Sequence, residues 1–195
     1  MQLMIQIKQL INRLKIKYEK YIFSTYEFGE LGKNYKVGIE CTVRNEENIF
    51  IGNNFSLGSF SCLQTWPEYD GQKTGFTPML NIGNDVAIME HCLISCMNQI
   101  NIGNGVLLGD NVFITDNYHG DTSDVEIDLP PLKRKLVTKG EVIIGDNVWI
   151  GRNVCIMSGV TIGDGAIIAA NAVVTKNIPP KVLAAGVPAR IIKEL

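Results

Sequence analysis

Aliphatic side chains recur at every sixth position along most of the chain. The clearest run begins at Ile144 and ends at Val174, and the residue after a leading aliphatic is usually small and often glycine. The strand period of two divides six, whereas the helical period of 3.6 does not, so the pattern predicts strands. The same register recurs upstream with slips, giving six triplets of leading residues: Leu31, Val37, Val43; Ile51, Leu57, Leu63; Ile82, Ile88, Ile94; Ile102, Leu108, Ile114; Ile144, Ile150, Ile156; Ile162, Ile168, Val174.

Each triplet predicts one coil with three flat sides, and such coils stack at the strand spacing of about 4.8 Å. We therefore expect an all-β fold, a parallel β-helix of about six coils over residues 29–178, with the leading residues buried along its axis. The glycine beside each leading residue is expected to allow a corner with positive φ. A sandwich of short strands is the alternative, but sandwiches do not hold a six-residue register.

An amphipathic helix is predicted for residues 3–22, ahead of the first coil. Its basic residues outnumber its single acid, Glu19. Two roles are open for this segment: residues 1–28 can cap the open end of the first coil, or the helix can contact an anionic membrane surface. The apolar face repeats at three- and four-residue spacing and carries Leu3, Ile7, Leu10, Leu14, Tyr18 and Tyr21.

Three segments depart from the repeat. Residues 64–80 form an insertion of unassigned role, and residues 117–142 form a longer excursion loop with Pro130-Pro131 near its middle. Residues 179–195 are expected to form a tail that ends in a short helix. Long loops on a repetitive scaffold are where function tends to lie.

The overall composition excludes several classes of protein. The formal net charge is −2, so nothing global indicates nucleic acid, and no such partner is expected. The five cysteines show no CxxC spacing, which argues against zinc ribbons and thioredoxin-like sites. No apolar run reaches 18 residues, and the start lacks a signal-peptide cleavage site. We therefore expect a cytoplasmic protein with reduced thiols.

One of only two histidines, His119, lies where the repeat stops and the excursion loop begins. A neutral imidazole can accept a proton at neutral pH. The residue type and its place leave two interpretations open, a catalytic base and a solvated loop histidine.

The stretch GDNVFITDNYHG, residues 109–120, resembles the hexapeptide-repeat acetyltransferases that act on sugars. The segment IIGDNVWIGRNVCIMSGVTIGDGAIIAANAVVTKNIPPKVLAAGVPAR is similar to the C-terminal signature of that family. The loop sequence PLKRKLVTKGEVIIGDNVWIG resembles the branch that acetylates surface and capsular polysaccharides. The resemblance implies a left-handed parallel β-helix and a homotrimer with active sites between subunits.

The resemblance also implies roles for individual residues. His119 would be the general base, and Asp116 is one candidate to hold its imidazole, beside a backbone carbonyl or a plain turn role. His91 stands near a family position that contacts the acceptor through asparagine, so its role as an acceptor ligand is an expectation only. Acetyl-CoA is the expected cosubstrate, no metal is expected, and the candidate cofactor-binding residues are Trp149, Ala170, Thr175, Lys176 and Arg190.

The sequence therefore predicts an acetyl-CoA-dependent O-acetyltransferase that modifies a sugar hydroxyl in surface polysaccharide synthesis. Two alternatives remain open. One is N-acetylation of an amino sugar or nucleotide-sugar, and the other is a non-catalytic β-helix module. Carbonic anhydrase shares the β-helix but needs three histidines around zinc, and this chain has two.

Overall fold

The computed structural model describes residues 2–121 and 125–195. The chain begins with one α-helix, α1 (Gln2–Thr25), and continues almost entirely in short strands. The strands are β1 (Glu30–Leu31), β2 (Lys36–Val37), β3 (Thr42–Arg44), β4 (Ile49–Ile51), β5 (Ser56–Leu57), β6 (Cys62–Thr65), β7 (Glu68–Tyr69), β8 (Gln72–Lys73), β9 (Met79–Ile82), β10 (Ala87–Ile88), β11 (Leu93–Cys96), β12 (Gln99–Ile102), β13 (Leu107–Leu108), β14 (Phe113–Thr115), β15 (Tyr118–His119), β16 (Leu136–Val137), β17 (Val142–Ile144), β18 (Trp149–Ile150), β19 (Cys155–Ile156), β20 (Thr161–Ile162), β21 (Ile167–Ile168), β22 (Val173–Val174), β23 (Val182–Ala185) and β24 (Arg190–Glu194).

Three sheets form the sides of a prism. Sheet A has the order β1-β4-β9-β12-β17-β20, sheet B has β2-β5-β10-β13-β18-β21-β23-β24, and sheet C has β3-β6-β11-β14-β19-β22. All neighbouring strands in these sheets are parallel except β23 and β24. Successive strands pass from A to B to C, so each coil contributes one strand to every side. The predicted parallel β-helix of six coils is confirmed.

The hexad register predicted from the sequence is the register of the sheets. In sheet A the leading residues pair from Leu31 to Ile162, and sheets B and C show the same alignment for the second and third members of each triplet. These side chains form the axial core, fully buried from Ile51 to Val174 and partly buried at Leu31 and Val43. Burial of each such side chain contributes about 1.5–3 kcal/mol.

The predicted role of the glycines beside the leading residues is wrong. Positive φ occurs two positions later, as at Asn54 and Asn147. The glycines instead lie where consecutive coils approach most closely: a Cβ on Gly58 would stand 2.4 Å from the backbone carbon of Met89. Glycine is required there by contact between backbones, while asparagine, which tolerates the left-handed region, turns the corner.

Helix α1 contacts the prism only through its last turns. Phe23 is buried and packs against the rings of Tyr26, Phe28 and Tyr35. The Glu19 carboxylate accepts a hydrogen bond of 3.2 Å from the backbone N–H of Glu40. Ahead of these turns, the predicted apolar face is exposed from Ile7 to Tyr18.

Within residues 2–121 and 125–195, no helix combines the length and the apolar character needed to cross a membrane.

The predicted C-terminal helix is wrong. After β21 the chain forms β23 at the edge of sheet B, and β24 folds back antiparallel to β23. The open edge of sheet B offers unpaired backbone groups, which β23 and β24 satisfy.

Both interruptions of the repeat contain antiparallel ribbons. In the 64–80 insertion, β7 pairs with β8. In the 117–142 loop, β15 pairs with β16, and two 3₁₀ turns lie between them at Val125–Asp128 and Pro131–Lys133.

Candidate active site

Both interruptions leave the prism at the same corner. The insertion follows β6 and the excursion loop follows β14, and these strands lie in sheet C with only β11 between them. At a strand spacing of about 4.8 Å, the two departures are roughly 10 Å apart. The two segments are therefore brought into contact although they are far apart in sequence.

Ser158 forms hydrogen bonds to both ends of the excursion loop. This buried hydroxyl donates to the carbonyl oxygen of Asp116 at 2.8 Å and accepts from the backbone N–H of Lys139 at 2.8 Å. Asp116 begins the loop and Lys139 ends it. One side chain on the next coil thus sets the spacing at the base of the loop.

Asp116 is fully buried and serves the turn after β11. Its two carboxylate oxygens accept hydrogen bonds from the backbone N–H groups of Met97 at 2.7 Å and Asn98 at 2.8 Å. Among the residues described, no hydrogen bond joins this carboxylate to the His119 imidazole. The geometry therefore favours the turn role that the sequence left open over the role of imidazole partner.

A thiol beside Asp116 is kept neutral. Cys96 lies 3.7 Å from one carboxylate oxygen, and burial, followed by the negative charge of Asp116, raises the pKa of the Cys96 thiol far above its ordinary value. A thiol with a raised pKa is a poor nucleophile. Cys96 is therefore part of the buried support of the loop.

His119 stands at the mouth of a cleft on sheet C. It lies in β15 opposite Leu136 of β16, and its side chain is exposed. The Tyr69 ring, from the insertion, meets the imidazole edge to face with 5.2 Å between ring centroids. The Tyr69 hydroxyl donates to the carbonyl oxygen of Leu132 at 3.2 Å, so the same residue holds both the histidine and the loop.

The cleft has a volume of about 380 Å³ and a mainly apolar wall. Its floor is the outer face of β6, β11 and β14, and its sides come from the insertion and the loop. Ser95 at the floor accepts hydrogen bonds from the Trp66 indole N–H at 3.0 Å and the Asn117 amide at 3.2 Å. The lining residues are Gln64, Trp66, Tyr69, Leu93, Ser95, Phe113, Thr115, Asn117, His119, Leu132 and Leu136.

A second cavity lies further along the same corner, toward the C-terminus. Lys176 and Arg190 line it together with Asn177, Ile178, Ala189 and Ile191, and its volume is about 340 Å³. Thr175 and Lys176 follow β22, which is two strands from β14 in sheet C, a distance of roughly 10 Å. The structure thus brings Lys176, which follows the last strand of sheet C, together with Arg190 from β24 of sheet B.

Two other predicted cofactor residues, Trp149 and Ala170, do not line this cavity. Trp149 is in β18 with its side chain about half exposed on the outer face of sheet B. Ala170 follows β21 at the corner between sheets B and C, also exposed. Within one chain neither reaches the cavity that contains Lys176 and Arg190.

His91 lies at the corner between sheets B and C, where the strands of sheet C begin, whereas His119 lies where they end. It has a positive φ of 59° and its ring stacks on Phe60, with 4.9 Å between centroids and 8° between planes. In later coils Asn111 and Asn153 hold this corner position and bond to each other. The structure does not bring His91 to the His119 cleft of the same chain.

Sequence reasoning missed the insertion residues Trp66 and Tyr69 as parts of the cleft. A signal was present, because Leu63 and Ile114 are both third members of their triplets. Two interruptions after third members must emerge from the same corner of a three-sided coil. Ser158 carried no such signal, since serine in a hexad is common at a coil surface.

Among the residues described, no three His, Cys, Asp or Glu side chains are grouped as metal ligands.

Comparison with known proteins places the chain in a family. Residues 141–176 match the model of the bacterial transferase hexapeptide (six repeats). The Escherichia coli K12 protein WbbJ, assigned to lipopolysaccharide biosynthesis as an O-acetyl transferase, is 34% identical over 158 residues, which cover 79% of this chain and 76% of WbbJ.

Solved structures show the same architecture. The hexapeptide-repeat acetyltransferase VCA0836 of Vibrio cholerae, in complex with acetyl coenzyme A, superposes with a TM-score of 0.57 at 26% identity, over 97% of this chain and 84% of that one. The N-acyltransferase AntD of Bacillus cereus, in complex with dTDP-4-amino-4,6-dideoxyglucose and coenzyme A, gives a TM-score of 0.73 at 22% identity, over 90% and 88%. The likeness to AntD concerns the fold alone.

The chain is therefore an acyltransferase built on a left-handed parallel β-helix. It belongs to the hexapeptide-repeat acetyltransferase family.

Proposed function

We propose that this protein is an acetyl-CoA-dependent O-acetyltransferase that acetylates a sugar hydroxyl in surface polysaccharide synthesis. One observation carries the proposal: an exposed imidazole lines an aromatic cleft on sheet C, and a cationic cavity lies beyond β22, two strands further along the same sheet. The cleft suits a sugar ring, since aromatic and apolar walls with a few polar groups are typical of small-molecule sites. The cavity suits a phosphorylated cosubstrate.

In this proposal the His119 imidazole accepts the proton of the acceptor hydroxyl while the hydroxyl oxygen forms a bond to the thioester carbonyl carbon. The carbon–sulfur bond then breaks, and the proton held by the imidazolium passes to the sulfur. Proton transfer by a positioned side chain typically contributes 10²–10⁴-fold to the rate. Tyr69 and the β15–β16 ribbon hold the imidazole in place.

The residues that would hold acetyl-CoA fit a phosphorylated, partly apolar molecule. Lys176 and Arg190 supply cations for phosphate groups, and Ile178, Ala189 and Ile191 supply apolar wall in the same cavity. The thioester supplies the activated acetyl group. Thr175 precedes Lys176 in the chain but does not line this cavity. Trp149 and Ala170 can contribute only across an interface with another subunit.

Oxygen rather than nitrogen as the acceptor atom is supported by the similarity to WbbJ, whose assigned activity is O-acetyl transfer. N-acetylation of an amino sugar is the second candidate, because the cleft that His119 lines could also hold an amine acceptor. A non-catalytic module is the least favoured alternative, because His119, the cleft and the cationic cavity occur together.

Product chemistry distinguishes the two activities. The purified protein is incubated with acetyl-CoA and a panel of sugars, amino sugars and nucleotide-sugars, and acetylated products are treated with alkaline hydroxylamine. An ester releases its acetyl group under these conditions, whereas an amide keeps it. A hydroxylamine-resistant product formed only from amino sugars would overturn O-acetylation.

We also propose that the enzyme is a homotrimer whose active sites lie between subunits. Apolar side chains of Leu107 and Trp149 are adjacent and exposed on the outer face of sheet B, where a second subunit can cover them. A covering subunit would also bring Trp149 and His91 next to another chain. Sedimentation equilibrium showing a stable monomer would contradict this.

A cytoplasmic location with contact to the membrane surface completes the proposal. All five cysteines are free thiols, as expected in a reducing compartment. Helix α1 combines exposed apolar residues such as Leu10 and Leu14 with basic ones such as Arg13 and Lys17, a pattern suited to anionic lipid headgroups. Co-sedimentation with phosphatidylglycerol vesicles, and its loss when residues 1–18 are deleted, would test the contact.

We assign the acyltransferase domain to residues 29–178, with residues 1–28 as the amphipathic segment and 179–195 as the tail. The contribution of Arg190 to the cationic cavity indicates that the tail also takes part in binding.

A further inference from the structure

A third cavity, of about 260 Å³, lies between the insertion and the excursion loop. None of the roles proposed above uses this cavity. Its wall includes four basic side chains, Lys73, Lys133, Arg134 and Lys135, and one acidic side chain, Asp70. Such an excess of positive charge in a concave site attracts anions.

Among the residues that the structure describes, only one of these four cations is paired with a carboxylate. Lys133 makes an ion pair of 2.8 Å with Asp70, both exposed. The Arg134 guanidinium donates to the backbone carbonyls of Ile127 and Leu129, which carry no net charge. Arg134 is therefore a fixed cation, and Lys73 and Lys135 are exposed cations on opposite sides, one from each segment.

The cavity adjoins the proposed acceptor cleft. Tyr69 and Leu136 line both spaces, and the Tyr69 ring also contacts His119. A group bound among the lysines is thus one aromatic ring away from the imidazole. The cavity shares no lining residue with the Lys176 and Arg190 cavity, so it is separate from the proposed cofactor site.

We propose that this cavity binds the phosphate or diphosphate group of a glycosyl phosphate acceptor while the sugar occupies the His119 cleft. The inference rests on the proposed function and specifies its substrate class. Several cations around one cavity match a multiply charged oxyanion better than a single carboxylate, which one lysine would neutralise. Lysine is a common phosphate binder, acting as a point charge. Nucleotide-linked and lipid-linked sugars share this group.

The test measures binding of inorganic pyrophosphate by calorimetry, with saturating coenzyme A present to occupy the cofactor end. Parallel titrations use dTDP and glucuronate. The variant is Lys73→Gln combined with Lys135→Gln, since both side chains are exposed and neither donates a hydrogen bond to another residue that the structure describes. Lys33→Gln, at an exposed corner of the first coil, is the matched control, and thermal unfolding checks all three proteins.

We expect saturable pyrophosphate binding that weakens at least tenfold in the double variant and is unchanged in the control. Much tighter binding of dTDP than of pyrophosphate would identify a nucleotide-linked acceptor, and equal binding would indicate that the diphosphate alone is recognised. Absence of pyrophosphate binding, equal binding by the double variant, or equally tight binding of glucuronate would overturn the inference. Continued acetyl transfer to neutral sugars in those cases would leave the proposed function intact.

Discussion

The Tyr69 ring lies edge to face with the His119 imidazole, with 5.2 Å between ring centroids. The two residues are 50 positions apart, and each belongs to a segment that interrupts the β-helix. Their contact connects the insertion to the proposed base. We therefore expect changes in the insertion to alter catalysis.

Replacing Tyr69 tests this connection. Tyr69→Ala removes both the ring contact and the hydrogen bond to Leu132, and loss of an aromatic contact costs about 0.5–1.5 kcal/mol. We expect kcat/KM for the acceptor to fall about tenfold, which corresponds to about 1.4 kcal/mol, with KM for acetyl-CoA unchanged.

Tyr69→Phe, the matched variant, keeps the ring and should remain within about threefold of the parent protein. Equal losses in the two variants would assign the effect to the hydroxyl and not to the ring.

Ser158 is expected to control the stability of the excursion loop. Ser158→Ala leaves the Asp116 carbonyl and the Lys139 N–H without a buried partner, which costs about 1–3 kcal/mol. For a chain of this size each kcal/mol lowers Tm by about 2–4 °C. Amide hydrogen exchange should become faster in residues 117–121 and 136–140. In the coil that follows β19, exchange should stay as slow as in the parent protein. Uniform exchange would show that the loop is not anchored there.

Asp116→Asn separates the turn role from the role of imidazole partner. An asparagine side chain has one acceptor oxygen for two backbone donors, at Met97 and Asn98, so the free energy of unfolding should fall by about 1–3 kcal/mol. The pH profile of kcat should keep its shape, because the carboxylate does not contact His119. A shifted profile together with unchanged stability would restore the catalytic role.

Cys92 makes the stability of the protein sensitive to alkali. Burial raises the pKa of the Cys92 thiol to about 11, above the ordinary value near 8.5–9. In the folded state the thiol stays protonated and lies 3.2 Å from the Gly109 carbonyl oxygen, whereas the unfolded chain loses this proton near its ordinary pKa. The resulting stabilisation is complete below about pH 8.5 and declines as pH rises toward 11, by about 2 kcal/mol.

Urea unfolding at a series of pH values checks this slope against Cys92→Ala. The variant should start lower, because it loses packing, and should show a shallower decline above pH 8.5. Parallel slopes in both proteins would assign the alkaline sensitivity to other groups.

The sequence predicted the repeating core well and the active-site surroundings only in part. Every leading residue from Leu31 to Val174 is in its predicted register, because a six-residue period can be satisfied in only one way by stacked three-sided coils. The tail was mispredicted, since Arg190–Glu194 forms a strand only because β23 offers an edge.

Local sequence motifs predicted part of the site. His119 was identified because it breaks the repeat and matches a family motif, and Lys176 and Arg190 because they match the family signature. Tyr69, Trp66 and Ser158 act through contacts between distant segments. Such contacts depend on the corner of the β-helix from which each inserted segment emerges. A local sequence pattern does not reveal that corner.

The most direct test of the central claim is free-thiol release from acetyl-CoA with the best acceptor of the panel, by the parent protein and by His119→Ala. Both proteins are first matched for thermal unfolding and for coenzyme A binding. The account predicts that acceptor-dependent release falls by about 10²-fold or more when the base is removed. Equal release by the two proteins would contradict the assignment of His119 as the general base.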